Sequence, residues 1–111
     1  MGKLVLLNQE KDFQSFRRSK SFQSSSLRIR VISETRQNHP RFGFIVPKKV
    51  LPKVVDRNKL KRRIKTFLNH KLSRLRSADI LIFPSASLLK KKYSELESEL
   101  NQVFSKANLW K

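Results

Sequence analysis

The segment from residue 57 to residue 76 most constrains the fold, because its apolar residues recur at helical spacing. Leu60, Ile64, Phe67, Leu68, Leu72 and Leu75 follow one another at intervals of four, three, one, four and three residues. This pattern predicts an amphipathic helix over about residues 57–76, with its apolar side packed against a core. Asp56 precedes the pattern, and we expect its carboxylate to be the N-cap of the helix.

The polar side of the same helix carries an excess of positive charge. In residues 57–65, six of nine side chains are basic and none is acidic. A solvated helix face normally mixes signs and gains Glu–Lys pairs four residues apart. Cations in a first turn also oppose the helix dipole. Such a helix is less stable in the free chain, and it indicates an anionic partner.

The charge of the whole chain supports the same interpretation. The 111 residues include 26 Lys and Arg against 8 Asp and Glu, which gives a net charge of +18. Residues 41–76 hold 13 of these basic residues and one acid, Asp56. Self-repulsion of this size destabilises a compact state unless a polyanion binds. Nucleic acid is the first candidate and an anionic membrane the second, while a charge that only aids solubility is the third possibility.

Three other patterns exclude whole classes of protein. The chain has no cysteine, so it forms no disulfide scaffold, thiolate zinc site or cysteine nucleophile. The longest apolar runs, residues 4–7 and 80–83, are far shorter than the roughly 20 residues of a spanning helix. His39 and His70 lie in unrelated segments, and the carboxylates are few and scattered, so a protein active site for phosphodiester hydrolysis is not expected.

The remaining patterns predict a small α+β fold of the order α-β-β-β-α-β-α. Residues 8–18 are expected to form a first helix, and strands are expected near Phe22 and over residues 27–33, 41–47 and 79–84. A last helix carries Tyr93, Leu96, Leu100, Val103 and Phe104, with Ser94 and Glu97 as a possible capping pair. About four strands should form one sheet with helices packed on it, including a β-α-β crossover. We expect a single domain over residues 1–111, and the resemblance described next implies that it binds RNA and is ordered over about residues 8–108.

One motif makes the chain resemble a known family. Residues 42–49 read FGFIVPKK, and after seven residues RNKLKRRIK follows at 57–65. This strand ending in two lysines, followed by an Arg-Asn helix start, resembles the bacterial ribonuclease P protein component. The resemblance spans about residues 8–108. Lys59 stands where arginine is usual in the family, and Pro47 stands where a small polar residue is common.

The resemblance implies a function and a set of partners. The family protein is the small subunit of a ribozyme whose RNA, with Mg²⁺, removes the 5′ leader of precursor tRNA. We therefore expect the ribonuclease P RNA subunit and precursor tRNA as partners, in the cytoplasm, without a membrane or a further protein. The chemistry and the Mg²⁺ are expected on the RNA, and no metal or cofactor on the protein alone.

Two surfaces follow from the resemblance. The RNA subunit is expected to dock on Lys48, Lys49, Arg57, Asn58, Lys59, Lys61, Arg62, Arg63 and Lys65. The single-stranded leader is expected in a cleft formed by Phe13, Phe16, Arg28 and Arg30. Core packing of a short helix is the alternative for Phe13 and Phe16. We interpret Tyr93 as a core residue and Trp110 as a tail residue.

Three other kinds of protein share parts of this pattern. A basic RNA-binding protein of ribosomal type would have the charge but no leader cleft. A helix–turn–helix protein needs a short turn between two helices, whereas a strand end and a connector precede the basic helix here. A membrane-surface helix needs a free apolar face, and Leu60, Ile64 and Phe67 are expected in the core.

Overall fold

The computed structural model describes residues 19–32 and 38–111, together with the main chain of residues 5–6. The strands are β1 Val5–Leu6, β2 Lys20–Gln23, β3 Leu27–Ile32, β4 Arg41–Phe44 and β5 Asp79–Pro84. The described helices are α1 Val54–Lys71, α2 Ala86–Leu89 and α3 Tyr93–Lys106, and a 3-10 turn covers Leu72–Arg74. The expected α+β fold is confirmed. Strand β1 and helix α2 were not predicted.

The five strands form one sheet in the order β1-β4-β5-β3-β2. Strands β4 and β5 are parallel neighbours, with Arg41 opposite Asp79 and Phe44 opposite Ile82. Because parallel strands need a crossover, α1 connects them across one face of the sheet, which confirms the predicted β-α-β unit. Strand β3 is antiparallel to both β2 and β5, and β1 pairs with β4 in parallel.

The core lies between the sheet and helices α1 and α3. Alternate residues of β3, namely Leu27, Ile29 and Val31, are buried on the helix-covered face. Their neighbour Arg28 is exposed on the opposite face, which we call the outer sheet face. This alternation is what the sequence predicted for a half-buried strand. The helices contribute buried Leu60, Ile64, Phe67 and Leu68 from α1 and Leu96, Leu100, Val103 and Phe104 from α3.

Helix α1 begins and ends earlier than predicted. Its first residue is Val54 and its N-cap is Lys53, so the prediction of Asp56 as the N-cap is wrong. The Arg57 N–H donates to the Lys53 carbonyl at 3.1 Å, which closes the first turn ahead of Asp56. The helix ends at Lys71 because the chain passes through a 3-10 turn and Leu75 becomes extended. Leu75 pairs with Trp110 in an isolated bridge, which buries it without a helix.

The end of helix α3 turns the chain back toward the core. Asn108 has a positive φ of 56°, a conformation that Asn tolerates better than most residues. The N–H groups of Asn108 and Leu109 donate to Ser105 and Phe104 carbonyls at 3.1 and 3.0 Å, the pattern of a Schellman motif. Trp110 therefore packs on the core, and its interpretation as a tail residue is wrong.

Three smaller predictions at strand and helix ends are corrected. Strand β4 ends at Phe44 rather than at residue 47, although the Ile45 N–H still donates to Ile82 at 2.9 Å. The capping pair of α3 is not Ser94 and Glu97, since Glu95 Oε1 accepts the Lys92 N–H at 3.4 Å. Tyr93 opens α3 with an exposed fraction of 36%, so it is not a core residue.

Some predictions lie outside the described residues. The first helix over residues 8–18, with Phe13 and Phe16, is among them. In the part that is described, no helix is long and apolar enough to cross a membrane.

Candidate nucleic-acid interface

The start of helix α1 presents its cations on the side away from the core. Asn58, Lys59 and Arg62 are exposed, while Lys61 and Lys65 are half-buried beside them. Leu60 and Ile64 are fully buried one turn apart, which orients the helix. Because α1 begins at Val54, residues 59–65 lie beyond the first turn, where the helix dipole has little effect. The attraction for anions therefore comes from the side-chain charges.

Two arginines of this helix are held by main-chain carbonyl groups. Arg57 Nη1 donates to the carbonyls of Leu51 and Pro52 at 2.7 and 3.0 Å. Arg63 donates through Nη1 to Leu89 at 2.9 Å and through Nη2 to Lys91 at 2.6 Å. A guanidinium has five N–H donors, so each keeps free donors and its full charge. Both arginines thus fix loops against α1 while adding positive potential to it.

The lysines that follow β4 lie on a turn attached to the same helix. Lys48 and Lys49 are exposed. The N–H groups of Val50 and Leu51 donate to the Pro47 carbonyl at 3.0 and 3.2 Å, which forms the turn. Since Arg57 binds the Leu51 carbonyl, the turn and the helix start are joined. We call Lys48, Lys49 and the polar residues 57–65 of α1 the basic face.

The basic face is not neutralised by carboxylates of the described residues. Within residues 19–32 and 38–111, the ion pairs are Arg41–Asp79 at 2.7 Å and Lys91–Glu99 at 2.7 Å. Lys65 instead lies over the Phe44 ring, with Nζ 5.9 Å from the ring centroid. The unpaired charge is the feature that the sequence predicted, and it suits phosphate groups.

The outer sheet face holds the two arginines predicted for a leader cleft. The Arg28 guanidinium carbon lies 4.6 Å from the centroid of the Phe83 ring, which is a cation–π contact. Arg30 Nε donates to Ser19 Oγ at 2.9 Å. Phe83 was not singled out from the sequence, although its position in the alternation of β5 places it opposite Arg28. A cation stacked on an aromatic ring is a surface on which a nucleobase can stack.

The described residues offer few groups for metal binding or acid–base chemistry. They contain no cluster of three or more His, Cys, Asp or Glu side chains. Asp79 accepts two hydrogen bonds from Arg41 at 2.8 and 2.7 Å, and Glu99 is bound to Lys91. His70 is exposed on α1, and His39 Nδ1 lies 3.3 Å from Asn38 Oδ1.

These features define a class of protein: a small α+β domain with a crossover helix whose solvent side is cationic and unpaired. The model of the family described as Ribonuclease P matches residues 1–108. The chain belongs to this ribonuclease P protein family.

Individual relatives agree with the family match. The ribonuclease P protein component of Synechocystis sp. is 32% identical over 98% of this chain and 90% of its own length. That of Streptococcus pyogenes is 31% identical over 98% of this chain and 91% of its own length. The RNase P protein of Staphylococcus aureus has the same fold, with a TM-score of 0.87 at 22% identity over 98% and 100% of the two chains. That of Thermotoga maritima gives 0.76 at 23% identity over 87% and 93%.

Proposed function

We propose that this chain is the protein subunit of ribonuclease P and assists removal of the 5′ leader from precursor tRNA. The observation that carries the proposal is the unpaired basic face of a chain that belongs to the ribonuclease P protein family. The basic face binds the RNA subunit, through phosphates and 2′-hydroxyls. Its exposed residues make the direct contacts, and Arg57 and Arg63 act partly by fixing the loops beside it.

The outer sheet face binds the single-stranded leader of precursor tRNA in this proposal. Arg28 and Phe83 supply a charged and an aromatic surface side by side, and Arg30 adds a second cation one pleat away. Base stacking on such a surface contributes roughly 1–3 kcal/mol per base without strong sequence preference. Phe13 and Phe16 remain predicted members of the same cleft.

The cleavage chemistry belongs to the RNA subunit in this proposal, with Mg²⁺ held mainly by that RNA. Support comes from Asp79 and Glu99, the two most buried carboxylates of the described residues, which are committed to Arg41 and Lys91. The protein contributes binding and positioning. We place this function in the cytoplasm, with no membrane and no further protein needed.

The test is a tRNA maturation assay with the bare RNA subunit at low Mg²⁺. Addition of this chain should restore cleavage and raise the affinity for precursor tRNA that carries a leader. Removing the leader from the substrate should abolish the gain in affinity, and Arg28→Ala should reduce it while leaving RNA-subunit binding intact. Lys20→Ala removes an exposed cation on edge strand β2, opposite Val31 of the helix-covered face, and is the matched control. Unchanged cleavage and affinity would favour a basic protein of ribosomal type.

A further inference from the structure

An open cavity lies at the far end of helix α1, and its lining shares no residue with either proposed surface. Its volume is about 450 Å³, and its lining consists of Lys71, Ser73, Arg74, Asn101, Trp110 and Lys111. The volume falls within the range of roughly 300–1,000 Å³ that is usual for small-molecule sites. Lys65, the last residue of the basic face, and Lys71 are separated by about 9 Å along the helix axis at about 1.5 Å per residue. The cavity is therefore a separate site.

Trp110, the aromatic residue of the lining, is held rigidly. The Trp110 ring packs against Phe67 and Phe104, with centroid distances of 6.4 and 5.8 Å. Its Nε1 donates to Ser105 Oγ at 3.1 Å, and its carbonyl accepts from Arg76 Nε at 3.0 Å. A ring fixed in this way loses little conformational entropy when a ligand stacks on it.

The other lining groups are cations and neutral polar groups. Within the described part of the chain, Lys71, Arg74 and Lys111 form no ion pair, and the two ion pairs present lie elsewhere. The lining contains no Asp or Glu. If the main chain of Lys111 carried a carboxylate, the three cationic side chains would still leave the lining with a net positive charge. Ser73 and Asn101 add a hydroxyl and an amide, and an amide can both donate and accept hydrogen bonds.

We propose that this cavity binds a nucleotide, either free or as one unit of a single-stranded RNA. The base stacks on Trp110, Asn101 binds the edge of the base, and Lys71 and Arg74 bind the phosphate. This combination of a rigid ring, a two-way hydrogen-bonding amide and unpaired cations is what a base joined to a phosphate requires. A phosphate alone would leave the indole and the amide unused. The inference goes beyond the proposed function and does not depend on it.

The experiment uses the fluorescence of Trp110, which is the only tryptophan of the chain. Adenosine monophosphate, inorganic phosphate and a short oligoadenylate are each titrated into the full chain. We expect saturable quenching by the nucleotide and at least about tenfold weaker binding of phosphate, since base stacking contributes more than 1 kcal/mol. Tighter binding of the oligoadenylate would identify RNA as the source of the nucleotide, and equal binding would identify the free nucleotide.

Two variants locate the binding site. Lys71→Ala with Arg74→Ala should weaken nucleotide binding by about ten- to hundredfold, because two charge-assisted hydrogen bonds are lost. Lys20→Ala with Lys90→Ala removes the same charge from exposed positions outside the cavity and should leave binding unchanged. The single variant Arg74→Ala is included in case the double variant misfolds. Arg74 is exposed, and its hydrogen bond with Lys111 uses the Arg74 main-chain carbonyl, which the substitution keeps.

Three results would overturn the proposal. They are no saturable change in Trp110 emission with any of the three probes, equal affinity for phosphate and nucleotide, or equal losses in the two double variants. Failure here is distinguishable from failure of the proposed function, because tRNA maturation is measured in a separate assay. Loss of nucleotide binding with normal RNA-subunit binding, or the reverse, would assign each surface independently.

Discussion

Helices α1 and α3 pack on the same face of one sheet, yet the excess of charge they carry has opposite sign. Helix α1 has seven basic residues and one acid, whereas α3 has three acids and one basic residue. In α3 the acidic Glu95 lies in the first turn and Lys106 in the last, as the helix dipole favours. In α1 the cations repel one another, and no carboxylate of the described residues pairs with them.

This difference distinguishes the contacts that stabilise the fold from the surface that is available for binding. Both helices bury four apolar side chains completely, so both are held by packing. Of the two helices, only α3 also gains from an ion pair among the described residues, because buried Glu99 accepts hydrogen bonds from Lys91 at 2.7 Å and from Ser25 at 2.5 Å. Helix α1 forgoes that gain and keeps a surface that an anion can occupy. The predictions below test this division.

The largest expected effect is on the packing that the helices share. Phe67→Ala in α1 removes a fully buried ring that packs edge-on against Phe104 of α3, with centroids 5.9 Å apart. We expect a loss of about 3–5 kcal/mol in the free energy of unfolding, measured by denaturant titration. The exposed neighbour substitution Thr66→Ala is the control. A loss well below 2 kcal/mol would mean that the helices are not held mainly by packing.

The next effect tests the charge that stabilises α3. Glu99→Ala should lower the free energy of unfolding by about 1–3 kcal/mol, because Lys91 and Ser25 lose their acceptor. Glu99→Gln keeps an acceptor and the shape, so its loss should be smaller. Equal stabilities of wild type and both variants would remove this pair from the account of the fold.

The same carboxylate predicts a pH dependence. Burial raises the pKa of Glu99, but the hydrogen bonds from Lys91 and Ser25 and the Lys91 charge outweigh burial and lower that pKa below its ordinary value of 4.5. A lowered folded-state pKa means that this contribution is complete above pH 4.5 and is lost as the pH falls through the folded value. Acid titration of stability should therefore be shallower in Glu99→Gln than in the wild type. Parallel curves would contradict the assignment.

A smaller effect is expected for binding by the basic face of α1. Arg62→Ala should weaken binding to the RNA subunit by about fivefold, or roughly 1 kcal/mol. The slope of log affinity against log salt should decrease by about 0.7–0.9, as expected for one phosphate contact. Arg62 is exposed, so the free energy of unfolding should not change. An unchanged salt slope would remove Arg62 from the interface.

The smallest effect is expected from a substitution that adds an acid to the first turn of α1, like Glu95 in the first turn of α3. Val55 is 73% exposed in the first turn of α1. Val55→Glu places an acid near the positive end of the helix and four residues before Lys59, so stability should rise by about 0.3–1 kcal/mol. Affinity for the RNA subunit should decrease at the same time. Val55→Gln is the uncharged control, and a gain shared by both variants would exclude an electrostatic cause.

The sequence determined the elements whose periodicity reports directly on burial. The alternation of residues 27–32 and the helical spacing from Leu60 to Leu68 each reflect one side facing a core and one facing solvent. The excess of cations at residues 57–65 could also be recognised from the sequence, because a local charge imbalance can be counted without knowledge of the tertiary structure. The family motif added the expected partners.

Only the tertiary structure decided where those elements end and which side chains meet. Helix α1 stops at Lys71 because Leu75 pairs with Trp110, which lies 35 positions further along the chain. The binding of Arg63 to the carbonyls of Leu89 and Lys91, and the cavity beside Trp110, also join distant segments. Local patterns report the solvent exposure of neighbouring residues, whereas these contacts join segments that are far apart in the sequence. The packing of the whole core decides which distant segments meet.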